Sequence, residues 1–209
     1  MNDRIITGPA CLTEGATWLA SVEPRFAAIL PSITPLPLRL KDDGFGPLLC
    51  IILGQQVSVA SAQAVWNKLQ AAGLNSAEAI AATSPDDLRA MGLSRQKAGY
   101  AQGLAAAGID FDDLHTRPNA DVIKTLCAVK GIGPWTAEVY TMFSLGRADI
   151  FAPGDLAIQE AARMIFDLPE RPTERAMRDM AQAWSPWRSV AARIFWAYYA
   201  MTKKKDGII

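Results

Sequence analysis

A chain of 209 residues, half of them hydrophobic and a fifth charged, can bury a core as one large domain or two small lobes, and this composition excludes a disordered protein. Its 21 lysines and arginines equal its 21 aspartates and glutamates, which weighs against nucleic-acid binding by bulk charge and leaves such a role to backbone donors and a few cations. Apolar runs such as Leu48 to Leu53 are far short of a membrane span. The first residues lack a signal-peptide core, and Cys11, Cys50 and Cys127 form no disulfide or metal spacing, so a cytoplasmic protein away from membranes is expected.

The predicted elements are helices throughout. Residues 1–47 are punctuated by Pro9, Pro24, Pro31, Pro35, Pro37 and Pro47, with helices expected at 15–21 and 24–30. Helical patterns at 47–54 and 58–71 stop near Gly73-Leu74-Asn75, and Ser76 begins another. Ser84-Pro85-Asp86-Asp87 reads as a cap, proline at the first helical position and two acids in the first turn. A helix follows from Arg95 to Ala107. Asp121 is expected to cap the next, and Pro134 to start one that ends at Gly146. Asp155 opens a helix to Phe166, Thr173 one to Ala183, and a strongly apolar last helix covers Pro186 to Thr202. Only 147–151 is strand-like, so the fold class is all-α.

The most informative stretch is Val129-Lys130-Gly131-Ile132-Gly133-Pro134-Trp135-Thr136-Ala137-Glu138, followed by Ala152-Pro153-Gly154-Asp155. The first part reads as helix, tight glycine hairpin, helix. Gly131 and Gly133 permit positive φ and close backbone approach, and Pro134 suits the first turn of a helix. Such a turn leaves free N–H groups at a helix N-terminus, a seat for a phosphate oxygen. An ordinary αα-hairpin has the same local signature, and Asp155 by itself reads as a helix cap.

These residues resemble the helix–hairpin–helix DNA glycosylase superfamily, and within it the DNA-3-methyladenine glycosylase II branch. The segments Leu53-Gly54-Gln55-Gln56-Val57-Ser58 and Ser94-Arg95-Gln96-Lys97-Ala98-Gly99-Tyr100 are similar to motifs of that branch. So are Trp184-Ser185-Pro186-Trp187-Arg188 and Ile194-Phe195-Trp196. The resemblance implies two helical lobes flanking a DNA-binding cleft. Residues 48–147 would form a central lobe with the hairpin motif. Residues 1–47 would pack with a C-terminal lobe at 148–209 that also carries the aspartate loop. The β-rich N-terminal domain of some members does not fit in 47 residues.

The resemblance further implies a monofunctional glycosylase that flips alkylated purines such as 3-methyladenine out of duplex DNA and hydrolyses the N-glycosidic bond. It places the catalytic aspartate at Asp155, where a fixed carboxylate would stabilise the positive charge that builds on the sugar and orient water. Trp135 stands where lyase members carry a Schiff-base lysine. It and Trp196 would line the base pocket, although aromatics on apolar helices are most often core. A cationic base on tryptophan would gain ~1 kcal/mol or more from the cation–π term. Some relatives carry tyrosines where this chain has Val139 and Leu156.

Gln56 would fill the gap left by the flipped nucleotide, with Gln55 beside it competing for that role. Gly131, Gly133 and Thr136 would contact DNA. Carbonyls of Cys127, Val129 and Ile132 would hold a monovalent cation, Na or K. An iron–sulfur cluster needs four cysteines where the chain has three. Arg188 and Lys97 read as phosphate, salt-bridge or simply solvated residues, and lone His115 carries no metal role. Damaged duplex DNA is the expected partner of a monomer. A same-fold glycosylase for oxidised, deaminated or mismatched bases, and a non-catalytic DNA-binding protein, are the alternatives.

Overall fold

The structure is a computed structural model and describes residues 4–205. Helices α1 (Pro9–Val22) and α2 (Pro24–Ile33) both begin on a proline, whose missing N–H costs no bond at that position. They are followed by α3 (Phe45–Leu53), α4 (Val59–Ala71), α5 (Ala77–Ala82), α6 (Pro85–Ala90) and α7 (Arg95–Ala106). Next come α8 (Phe111–Leu114), α9 (Asn119–Cys127) and α10 (Pro134–Phe143). Helices α11 (Leu156–Ile165) and α12 (Glu174–Met180), a 3-10 turn (Ala181–Trp184) and α13 (Arg188–Lys205) complete the order. Side chains of Ser58, Ser76, Ser84, Ser94, Asp110, Asp155 and Thr173 cap their helices by accepting backbone N–H groups. Each such cap contributes ~1 kcal/mol.

Several expected boundaries move. Helix α1 starts at Pro9 rather than near Gly15. The four-residue α8 was not foreseen. Asp121 is not a cap: Pro118 precedes α9, and Asp121 lies in its first turn. Helix α10 ends at Phe143 rather than Gly146, because Gly146 adopts φ 66, a left-handed conformation that leaves the helix. The strand-like run at 147–151 yields one isolated antiparallel bridge, Ile5 to Arg147, and no strand forms among the described residues.

The chain divides into two compact units. The first joins the residues up to Leu40 with those from Gly146 onward. Ile6 N–H bonds Gly146 O at 2.7 Å and Ala148 N–H bonds Arg4 O at 2.9 Å. Its core is an aromatic cluster of Phe26, Phe151, Phe166, Trp184 and Phe195, with ring centroids 5.2–6.4 Å apart. Gly15 lets α1 lie against α13, since a Cβ there would sit 2.7 Å from Val190 and 2.8 Å from Trp187. The W-x-P-W-R segment therefore builds this unit's interior.

The second unit runs from Lys41 to Leu145. Helix α3 is apolar all round, with Leu48, Leu49, Ile51, Ile52 and Leu53 buried, as suits a helix surrounded by others. Lys41 N–H bonds Phe143 O at 3.0 Å, and Gly44 N–H bonds the buried Tyr140 hydroxyl at 2.8 Å. These bonds carry 41–47 into the second unit, so its boundaries fall at 40/41 and 145/146 rather than 47/48 and 147/148. Among the described residues no helix is long and apolar enough to cross a membrane.

Candidate active site

In the first unit, the turn Ala152-Pro153-Gly154 leads into Asp155, the N-cap of α11. The buried Gln159 donates to Pro153 O at 2.8 Å, and Asp155 N–H bonds Ala152 O at 3.1 Å, so both sides of the turn are pinned. Asp155 Oδ1 accepts N–H bonds from Ala157 at 2.9 Å and Ile158 at 3.0 Å. The same oxygen accepts the indole Nε1–H of Trp196 at 3.1 Å. The bonds that start the helix thus also fix a half-buried carboxylate beside an indole edge. On α13, Phe195 is fully buried in the aromatic cluster, whereas its neighbour Trp196 is only half-buried.

Two residues that sequence reasoning missed complete this region. The Arg39 guanidinium lies 5.7 Å from the centroid of the Trp196 ring. Arg193, buried to 0% exposure, donates from Nε and Nη2 to Leu38 O at 3.2 and 3.0 Å. Neither belongs to a motif, and Arg39 sits in a proline-rich stretch with no helical period. Leu156, in the position where some relatives carry tyrosine, is 63% exposed.

In the second unit, α9 and α10 form the hairpin. Val129 O accepts the Ile132 N–H at 3.0 Å, closing the turn. Gly131 has φ 96, and a Cβ there would overlap the Tyr100 ring, so this position demands glycine. Gly133 does not share that demand. Its φ of −89° is open to any residue, and a Cβ would meet nothing within 4 Å. It is exposed at the start of α10, where the first backbone N–H groups have no helical partner.

The two glutamines separate cleanly. Gln55 Nε2 donates to Gly131 O and to Thr136 Oγ1, both at 2.9 Å, tying the turn after α3 to the hairpin. Gln56 is exposed and takes φ 56, a left-handed conformation that puts it at the apex of that turn. Lys97 Nζ donates to Leu53 O at 2.6 Å and so holds the C-terminal end of α3. Burial lowers its pKa. Thr136 is 2% exposed, its hydroxyl accepts from Gln55, and it lies in the first turn of α10. Tyr100 packs its ring on Gly131 and accepts a bond from Gln96 Nε2 at 2.6 Å. The S-x-x-K-A-x-Y segment therefore braces the hairpin and the glutamine turn from behind.

Trp135, second residue of α10, is half-buried, and Lys130 before the hairpin is exposed. Val139, the other position where relatives carry tyrosine, is buried. Arg188 is committed to Asp149 in a two-point ion pair, Nε–Oδ1 2.6 Å and Nη2–Oδ2 2.9 Å. His115 pairs with Asp43. A concavity of about 980 Å³ is lined by residues of α7, α8 and α9, but by none of Gln55, Gln56 or Trp135. Among the described residues no cluster of three or more His, Cys, Asp or Glu side chains could hold a metal.

Comparison with known proteins accounts for these features together. The family described as "HhH-GPD superfamily base excision DNA repair protein" matches residues 49–187, from α3 to the threshold of α13. DNA-3-methyladenine glycosylase 1 of Schizosaccharomyces pombe is 28% identical over 181 residues, covering 82% of this chain and 79% of that protein. DNA-3-methyladenine glycosylase 2 of Escherichia coli is 29% identical over 168 residues, covering 74% of this chain and 57% of the enterobacterial one. The solved structure of a Schizosaccharomyces pombe 3-methyladenine DNA glycosylase in complex with abasic DNA superposes with a TM-score of 0.81 at 24% identity, covering 91% of this chain and 97% of that one. With the hairpin and the capped aspartate both inside the matched span, this chain belongs to the HhH-GPD superfamily of base excision DNA repair proteins.

Proposed function

We infer that this protein is a DNA glycosylase of base excision repair that removes alkylated bases, and we propose that it acts as a monofunctional monomer on purines such as 3-methyladenine in duplex DNA. One observation carries the reading: Asp155 Oδ1 is held by two backbone N–H groups and by the Trp196 indole N–H. A base stacked on that indole brings its sugar beside a carboxylate whose position is already set. As the C1′–N bond breaks, its electron pair leaves with the base and positive charge develops on the sugar. A preorganised anion lowers the barrier without reorganising, and it can orient the water that adds to C1′ and loses a proton. An alkylated purine that is already cationic departs as a neutral base.

Trp135 is the second aromatic assigned to the base. Its indole offers no amine for a Schiff base, which supports simple hydrolysis. Gln56, held out on a braced turn, is assigned to the gap in the duplex, and the N-terminus of α10 at Gly131 and Gly133 to a phosphate. Carbonyls of Cys127, Val129 and Ile132 would hold a sodium or potassium ion that stiffens the hairpin. In support, Val129 O accepts the Ile132 N–H and keeps a second lone pair for such an ion.

The test is a panel of duplexes, each with one alkylated, oxidised, deaminated or mismatched base. Released base is measured by chromatography and the strand is inspected with and without borohydride. Release of alkylated purines, an intact abasic strand and no trapped protein adduct are expected. Release of only oxidised or mismatched bases would move the protein to another substrate class. A borohydride-trapped adduct would restore a lyase step, and release of nothing would leave a binding protein.

A further inference from the structure

The family match begins at residue 49, so it says nothing about the segment that carries Arg39. Arg39 takes φ 54, a left-handed conformation uncommon for a residue with a Cβ. The cause lies one residue earlier. The buried guanidinium of Arg193 grips Leu38 O with two donors and Ser189 O with a third at 2.9 Å. Ser189 is in turn locked to Arg147 O at 2.6 Å and Ile150 O at 2.9 Å. A strained backbone conformation persists only when its surroundings over-determine it, and here a buried clamp does so. Its result is a guanidinium 5.7 Å from the Trp196 centroid, on the ring whose N–H is bonded to Asp155.

We propose that Arg39 is a specificity-determining residue: it is a resident cation on the Trp196 indole beside Asp155, any base that stacks on that face must take its place, and a positively charged base is in addition opposed by its like charge, whereas a neutral base is not. The inference rests on the glycosylase reading above. An indole face beside a carboxylate attracts cations, and a guanidinium competes for it with an alkylated purine of the same charge. Two features make the arginine displaceable. It is a surface residue, and the like charge of Arg193 on α13 acts against it. Burial and then the like charge of Arg39 push Arg193 down to about 9, so the clamp is still cationic at neutral pH. Burial lowers the Arg39 pKa, and the negative charge of Asp155 acts against that shift and attracts the guanidinium.

Single-turnover excision of 7-methylguanine, a cation, and hypoxanthine, a neutral base, tests this in wild type, Arg39→Gln and Arg39→Lys. The 7-methylguanine to hypoxanthine rate ratio at subsaturating protein is expected to rise ~5-fold in Arg39→Gln, the scale of removing one nearby like charge at a partly solvated site. Arg39→Lys, which restores the charge, is expected to stay near the wild-type ratio. A ratio unchanged within ~2-fold, a fall, or a lysine variant that behaves like glutamine would overturn the proposal. Wild-type excision by itself tests the glycosylase reading. If wild type releases neither base, the same comparison is made by binding to duplexes with a non-hydrolysable 2′-fluoro 7-methylguanosine or a neutral 7-deaza counterpart. A selective gain for the cationic duplex in Arg39→Gln supports the displacement, and no selective gain refutes it.

Discussion

At the scale of single residues, the Asp155 carboxylate separates charge from scaffolding unusually well. Asparagine keeps an Oδ1 that can accept the Ala157, Ile158 and Trp196 N–H groups, and loses only the negative charge. Asp155→Asn is therefore expected to melt within a few degrees of wild type and to bind lesion DNA. Excision should fall at least ~100-fold, the scale of losing a preorganised electrostatic group. Near wild-type excision would remove Asp155 from the chemistry. Its place as a helix cap was legible in the sequence, as an aspartate at a helix start after Pro-Gly. Which glutamine turns inward was not legible, since the choice depends on where Gly131 O and Thr136 Oγ1 stand in space. Arg39 was illegible for a related reason: its backbone conformation is imposed by Arg193, far away in the chain.

At the scale of elements, the two hairpin glycines divide structure from binding. Gly131→Ala meets a left-handed φ and the Tyr100 ring, and is expected to cost stability outright. Gly133→Val meets neither, and should fold with a near-native melting temperature. Its bulk stands in front of the first N–H groups of α10, so affinity should fall alike for damaged and undamaged duplexes, because phosphate contacts carry no sequence information. Loss confined to damaged DNA, measured by anisotropy, would show that this end of α10 does not hold a phosphate. The pair Arg188–Asp149 supplies a pH test of the turn before α13. Burial raises the Asp149 pKa, but hydrogen bonds from Arg188 and Ser185 and the arginine charge outweigh it, and the net shift is downward. A depressed carboxylate stabilises the fold above its unfolded pKa of about 3.9 and loses that contribution as pH falls through the folded value. Arg188→Ala is expected to cost ~1–3 kcal/mol at pH 7, and the gap to wild type should narrow in urea titrations as pH falls below the unfolded carboxylate value. An equal gap at pH 7 and below that value would mean the arginine acts through packing alone. Helix starts were readable where a serine, threonine or aspartate caps them. Helix ends and the short α8 were not, because nonlocal packing rather than local propensity decides them.

At the scale of the whole molecule, the first unit is assembled from both ends of the chain around an inserted second unit. The helical patterns gave the all-α class and the family resemblance implied two lobes, but the joints at 40/41 and 145/146 rest on bonds such as Lys41 N–H to Phe143 O, which no local pattern reports. Net charge, by contrast, is a property of the chain as a whole, and here it is zero, with 21 charges of each sign. A basic DNA-binding protein gains affinity by releasing one counterion for nearly every phosphate it neutralises, and that gain vanishes as salt rises. In this protein the helix-start contact proposed at Gly133 uses N–H dipoles, and arginines such as Arg188 and Arg193 are committed to internal partners. On that proposal backbone donors, rather than many side-chain cations, meet the phosphates. The logarithm of the binding constant for an undamaged duplex should therefore fall with the logarithm of salt at a slope of only about −2 to −4, equivalent to roughly two to four phosphates. A lesion duplex should show the same slope and a higher intercept, since a flipped base adds stacking and a carboxylate contact but no counterion release. A slope steeper than about −5, or one that differs between the two duplexes, would mean that clustered cations rather than backbone donors and the base pocket govern binding.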